Sequence, residues 1–202
     1  RHDFEALNTS ECEALLVKKI YEDARHRRLL SPAESINGLT VGALHKDETS
    51  EIRKNTYIDP FTSILPSPVS AFGSGYRRSI KPDMIFNGGR ILYDSKSISH
   101  PQNVSLEIPK VLPLRGNSTI VPSVNPGETD KQKYSCGTSN STALTTRAAS
   151  ICYDYLATIF SEQASNVEFA TFGVPILKAM LIHGCSWNEL GSRLNELLKT
   201  DN

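Results

Sequence analysis

Apolar residues recur at three-and-four spacing in the stretch that follows residue 139, and this pattern predicts a long amphipathic helix. A spacing of this kind places apolar side chains on one face of a helix, where they can be buried. The apolar positions of this face are Leu144, Ala148, Ile151, Cys152, Tyr155, Leu156, Ile159 and Phe160.

Three other segments are predicted to be helical. Residues 10–28 begin with Ser10 and Glu13, which have the spacing of a capping box. A second helix is expected to open at Val174-Pro175, since proline is well tolerated in the first helical turn. The third covers about residues 188–199, with four leucines on one side.

Short apolar runs bounded by glycine, proline and charged residues predict strands between these helices. The runs cover residues 39–44, 80–86, 90–93, 104–108 and 118–121. Residues 46–70 are polar and contain three prolines, so they are predicted to form a surface loop. Helices and strands that alternate in this way indicate a single α/β domain.

The run YSCGTSNSTA at residues 134–143 carries the candidate chemistry. It places Ser139 in the first turn of the longest predicted helix, among unpaired backbone N–H groups and at the positive end of the helix dipole. An oxyanion that forms there would be stabilised, which makes Ser139 a candidate nucleophile. Serine and threonine are also common helix caps, and composition alone favours that simpler role.

Further segments, in the same order along the chain, resemble those of the subtilisin-like serine proteases, the subtilases. The Gly-Thr-Ser of residues 137–139 looks like their nucleophile segment. Residues 31–43 resemble a loop that enters a strand ending in Val-Gly-Ala, and residues 69–73 with 80–89 resemble a Ser-Phe-Ser stretch and a Lys-Pro-Asp strand end. Residues 176–184 resemble the helix after the nucleophile helix.

The resemblance implies a subtilisin-like doubly wound, mostly parallel sheet with flanking helices and a β-rich insertion at about residues 90–133. Residues 1–202 would form the C-terminal portion of the catalytic domain. The implied activity is peptide-bond hydrolysis through an acyl-enzyme, with Ser139 as the nucleophile. The Ser139 N–H and the Thr138 hydroxyl would face the oxyanion together with an upstream asparagine. The substrate would be a peptide or protein, with no metal or other cofactor.

The chain departs from the subtilase pattern in several places. Ala143 replaces the usual proline four residues after the nucleophile, and Asn87-Gly88-Gly89 replaces Ala-Pro-Gly. The oxyanion asparagine normally follows glycine, whereas the nearest candidate, Asn8, follows Leu7.

The aspartate and histidine motifs of the triad are not found before Ser139. None of the upstream histidines is followed by Gly-Thr or Gly-Ser; they are His2, His26, His45 and His100. We therefore expect the chain to begin within a catalytic domain, to be nearly inactive alone, and to bind its missing N-terminal half or form a homodimer.

Composition narrows the range of partners. The 22 basic and 22 acidic residues balance, so no attraction to nucleic acid or membranes is expected. The basic run at residues 25–28 is expected to lie at the C-terminal end of a helix and to face solvent. The four cysteines are scattered and predict buried free thiols, which favours the cytoplasm, although a signal upstream of Arg1 stays open. No acidic loop predicts a calcium site.

Two other interpretations remain. Residues 137–141 approximate the Gly-x-Ser-x-Gly elbow of α/β-hydrolases, with Asp154 and His183 downstream in the required order. Ser141 replaces the closing glycine, however, and Asp154 would lie on the helix of Ser139, about 22 Å away. A packed or capping role is the simpler interpretation of His183. The other alternative is a protease-derived interaction module without catalytic activity.

Overall fold

The computed structural model describes residues 9–47, 57–97, 104–107, 118–123, 127, 129–163 and 168–199. These residues form a mixed α/β structure, as the sequence predicts. The helices are α1 (Thr9–Glu22), α2 (Thr138–Glu162), α3 (Phe169–His183) and α4 (Asn188–Leu198). The strands are β1 (Val41–Leu44), β2 (Tyr57–Ile58), β3 (Gly73–Ser74), β4 (Ile80–Lys81), β5 (Met84–Asn87), β6 (Tyr93–Ser97), β7 (Val104–Glu107), β8 (Thr119–Pro122) and β9 (Gln132–Ser135).

Strands β1 and β5 form a parallel pair, in which Gly42 lies opposite Ile85 and Ala43 opposite Phe86. Helix α2 packs on both strands. The other described pairings, β2-β6-β7, β3-β4 and β8-β9, are antiparallel. The described strands therefore form small sheets, and parallel pairing is confined to β1 and β5.

The predicted strand at residues 80–86 is divided in two. Lys81 pairs with β3, and after Pro82 and Asp83 the chain turns into β5 beside β1. The strand predicted at 90–93 begins only at Tyr93, whereas β7 and β8 agree closely with their predictions. The segment 90–133 is thus rich in strands where it is described.

The prediction of a surface loop for residues 46–70 is wrong in the described part, because this segment helps to form the core. Phe61 and Leu65 are buried with Val17 of α1, and leucines of α4 pack against them. Residues 65–70 also cover the edge of β1 that faces away from β5. His45 N donates to Leu65 O at 2.8 Å, and Ser67 N donates to Ala43 O at 2.8 Å.

Helix α1 does not use the predicted capping box. It begins at Thr9 and ends at Glu22, and a short 3-10 turn covers Ala24–His26. Glu13 points into the protein instead of back to the helix start: its Oε2 accepts hydrogen bonds from Thr62 Oγ1 and from Arg193 Nη2 on α4. Tertiary partners therefore override the local capping pattern.

Helix α3 begins earlier than predicted, and Pro175 lies inside it. Proline in a helix interior removes a backbone hydrogen bond and normally costs about 3 kcal/mol. Phe169 offsets part of this cost, because its ring packs against Tyr153 at 4.9 Å and Phe160 at 5.3 Å between centroids. These contacts join α3 to the end of α2.

One prediction of burial is wrong near the end of α3. Cys185 is exposed, while the other three cysteines are partly buried, and all four are free. His183 is exposed at the last position of α3, which excludes the packed role and agrees with the capping role that the sequence also predicts. Both residues lie at the corner between α3 and α4, which leaves them in contact with solvent.

Candidate functional site around Ser139

Lys81 and Asp83 of the Lys-Pro-Asp segment hold the first residues of the two parallel strands together. Asp83 Oδ2 accepts hydrogen bonds from Thr40 N at 2.7 Å and from Lys81 Nζ at 2.6 Å. Lys81 also donates to Gly38 O at 3.2 Å. These groups lock the start of β1 to the start of β5, so the residues of this motif have a structural role.

At the opposite end, the turn before α2 is held against the carboxyl end of β5. Gly137 N donates to Gly88 O at 2.7 Å, and Gly137 has a φ of 127°, a conformation that favours glycine. The first residues of α2 then bind the surrounding strands. Asn140 Nδ2 donates to Ser135 O at 2.5 Å, and Ser141 Oγ donates to Phe86 O at 3.0 Å.

Gly88 allows the helix to approach the strands this closely. A Cβ at this position would lie 2.6 Å from the Cβ of Ala43 and 2.9 Å from the Oγ of Ser141. The next residue, Gly89, has a φ of 83°. A glycine is therefore required at position 88 by the narrow space between β1, β5 and α2.

Ser139 is exposed in the first turn of α2, at the carboxyl end of the parallel strands. The next two residues, Asn140 and Ser141, are buried and bond to strand carbonyl groups, which leaves the neighbouring Ser139 facing solvent. Ala143 does not disturb the first turn, because α2 continues without a break for 25 residues. That is about seven turns, whereas the apolar spacing after Ser139 predicts about five.

The amides that precede the first complete turn are available to a ligand. Asn140 N and Ser141 N bond to Gly137 O at 3.2 and 3.5 Å, whereas no described residue accepts from Thr138 N or Ser139 N. Within the described ranges, no hydrogen bond is made by Ser139 Oγ either. Both amides lie at the positive end of the α2 dipole, where negative charge is stabilised.

The predicted apolar face of α2 is only partly buried. Leu156 is buried, but Ile151, Tyr155 and Ile159 are exposed. The other buried positions near the start of the helix are polar: Asn140, Ser141 and Thr145. Small polar side chains therefore form the contact between α2 and the strands close to Ser139.

A buried charged network that sequence analysis missed lies where β1 and β5 end. His45 Nε2 lies 2.8 Å from Asp59 Oδ1, and Arg90 donates to Asp59 at 3.0 Å and to Asp47 at 3.0 Å. Burial alone would raise the pKa of Asp59, but the bonds from His45, Phe61 N and Arg90 outweigh it and hold that pKa below its usual value. The only sequence signal is the position of His45 and Arg90 just after strands.

This histidine-carboxylate pair is not a base for Ser139 in the observed arrangement. Ile91 N donates to His45 Nδ1 at 3.3 Å, which fixes Nδ1 as an acceptor and Nε2 as the donor to Asp59. Both ring nitrogens are therefore occupied by structural partners. His45 also packs edge-on against Phe61, with ring centroids 5.0 Å apart, which joins the network to the core.

The α/β-hydrolase alternative is not supported by the placement of its acid. Asp154 and Ser139 lie on the same helix, fifteen residues apart, which corresponds to about 22 Å. His26 is exposed and bonds to Asp23 at 2.7 Å. His2, His100 and the oxyanion candidate Asn8 lie outside the described residues.

The described ranges contain no cluster of three or more histidine, cysteine, aspartate or glutamate side chains placed to bind a metal ion. Within the same ranges, no single helix has the length and hydropathy to cross a membrane, while α3 and α4 meet those criteria only as a pair bent by 56°. No family model, curated protein or solved structure matches the chain.

Proposed function

We propose that Ser139 is the nucleophile of a subtilisin-like serine endopeptidase. The observation that carries this proposal is the position of Ser139: an exposed serine in the first turn of a 25-residue helix, at the carboxyl end of two parallel strands. Ligands of α/β proteins generally bind beside the carboxyl ends of the parallel strands.

In the proposed reaction, Ser139 Oγ attacks the carbonyl carbon of a peptide bond and transfers its proton to a histidine. The amine leaves with a proton from that histidine, and water then hydrolyses the acyl-enzyme. The N–H of Ser139, for which no described residue is an acceptor, would bind the developing oxyanion together with the Thr138 hydroxyl and an upstream asparagine. The loss of one such donor typically costs about 3 kcal/mol of transition-state stabilisation.

The histidine and its aspartate are proposed to come from polypeptide outside these 202 residues. One observation among the described residues supports this assignment: His45 has both ring nitrogens occupied. A serine without a base is a weak nucleophile, so the 202-residue chain alone is expected to be nearly inactive.

Labelling with a fluorophosphonate probe tests the proposal. A protein extended at its amino terminus by the parent reading frame should be labelled and should cleave casein, and Ser139→Ala should abolish both. Ser150→Ala, a change of an exposed serine on the same helix, should leave both unchanged. The 202-residue chain should react more slowly by about 10⁴-fold or more.

Two outcomes would contradict the proposal in different ways. Rapid labelling of the 202-residue chain at Ser139 would show that the base lies within it. An extended protein that is folded but neither labelled nor active would favour the alternative, an interaction module derived from a protease.

A further inference from the structure

The outer edge of β5 carries backbone groups that point away from β1. Gly88 N donates to Leu44 O at 3.1 Å and Met84 N donates to Thr40 O at 3.4 Å, so the even-numbered residues face β1. In a parallel ladder the alternate residues then direct both N–H and C=O to the other edge. These residues are Ile85 and Asn87, and no described residue bonds to their backbone groups.

Both residues line a groove between β5 and the corner of α3 and α4. The groove has a volume of about 1580 Å³, and residues 80–87 line one side. Apolar and polar residues of α3, α4 and their corner form the opposite wall. Several apolar residues that line the groove are about half exposed: Ile64, Met180 and Trp187. Ser139 does not line the groove, which is therefore separate from the candidate active site.

We propose that this groove binds an extended peptide, which adds to β5 as a third strand. The backbone groups of Ile85 and Asn87 offer two donors and two acceptors in strand geometry, and an extended peptide backbone is the ligand that matches them. A small apolar molecule would leave these groups without partners, at a cost of about 1–3 kcal/mol for each buried group. The concave shape likewise suits a single strand better than a second folded copy.

Charge specifies one end of the peptide. Lys46 lines the groove near the carboxyl end of β1, and within the described ranges its ammonium group has no acidic partner. The preferred peptide therefore has apolar side chains at alternate positions and an acidic residue beside Lys46. Four residues of peptide would span β5, since a strand rises about 3.3 Å per residue.

The probe is the peptide acetyl-Thr-Val-Thr-Val-Thr-Asp-amide, and the signal is the fluorescence of Trp187. This residue is the only tryptophan of the chain, it lines the groove, and it is 63% exposed. Binding should shift its emission to the blue in the 202-residue chain, without any need for peptidase activity. The result is therefore independent of the proposed function.

Two methylated isomers of the probe separate strand addition from simple apolar contact. N-methylation of the valines and N-methylation of the threonines block opposite edges of the peptide. One isomer should bind at least about tenfold more weakly, and the other should bind about as well as the parent. A probe in which Asn replaces the final Asp should bind the original protein more weakly than the parent probe. The Lys46→Met protein should bind the Asp and Asn probes equally well.

A matched pair of variants locates the site. Met180→Glu places a charge on the groove wall and should abolish the fluorescence response, whereas Ile151→Glu changes a residue of similar exposure on α2, outside the groove, and should preserve it. The proposal is overturned if millimolar peptide leaves the emission unchanged, or if both methylated isomers bind equally. It is also overturned if emission depends on protein concentration without peptide, which would identify a second copy as the occupant.

Discussion

Two regions of the structure are stabilised by different interactions: the contact of α2 with the parallel strands, and the contact between α1 and α4. Near Ser139, α2 contacts the strands through small polar side chains such as Asn140 and Ser141, which bond to backbone carbonyl groups. Between α1 and α4 the contact is made by buried apolar groups, with Val17, Phe61 and Leu65 at its centre. The position of Ser139 therefore depends on how closely the backbone of α2 approaches the strands. The contact between α1 and α4 depends instead on the burial of apolar side chains.

The largest effect is expected from a cavity in the apolar region. Leu65→Ala removes a side chain that is 0% exposed and should lower the free energy of unfolding by about 3 kcal/mol. Urea denaturation would measure the change. Ile64→Ala, at the half-exposed neighbouring position, is the control and should cost less than about 1 kcal/mol. Equal losses in the two variants would show that Leu65 does not anchor the core.

The second prediction concerns the close approach at the site. Gly88→Ala should cost about 2 kcal/mol, because the new methyl group would overlap Ala43 and force α2 away from the strands. Gly184→Ala is the matched control: its Cβ would meet no atom closer than 3.4 Å, and its φ is −72°. Full stability of Gly88→Ala would contradict the described packing of α2.

The third prediction uses pH to test the carboxylate within the apolar region. Burial would raise the pKa of Glu13, but hydrogen bonds from Thr62, Arg193 and Ser63 outweigh it and lower that pKa. A lowered pKa in the folded state stabilises the protein above the unfolded value, about 4.3, and this stabilisation is lost as pH falls through the folded pKa.

Glu13→Gln should therefore cost about 1–3 kcal/mol at pH 7 and remove much of the loss of stability below about pH 4. Urea midpoints of both proteins between pH 3 and 7 would measure this, with Glu11→Gln, on the exposed side of the same helix, as the control. Parallel pH profiles for the Glu13 variant and the original protein would exclude a role for this carboxylate.

The smallest effect is expected where α3 meets the loop before β1. Lys178 Nζ donates to the carbonyl groups of Ile36, Asn37 and Gly38 at 2.9, 3.4 and 3.3 Å. Lys178→Met should cost about 0.5–1 kcal/mol, since each bond is partly solvated. Thermal unfolding would detect a small drop in melting temperature, and Lys18→Met on the exposed face of α1 should show none.

The spacing of apolar residues along the chain correctly predicted the helices whose apolar face is buried in the structure. Helix α4 was predicted from its leucines, and these residues do pack on the apolar cluster. The presence of helix α2 and the place of Ser139 in its first turn also agree with the prediction, although the predicted apolar face of α2 is only partly buried. The pattern failed for Glu13, where Arg193 lies 180 residues away along the chain, and for Phe169, whose aromatic contacts extend α3 ahead of Pro175.

The sequence by itself determined the mixed α/β class and the helix after Ser139, because hydrophobic periodicity acts over a few neighbouring residues. The tertiary structure alone decided that residues 65–70 cover β1, that His45 meets Asp59 and Arg90, and that the edge of β5 faces a groove. Each of these depends on contacts between segments far apart in sequence, and the strength of those contacts is set by burial and hydrogen-bond geometry that no local pattern contains.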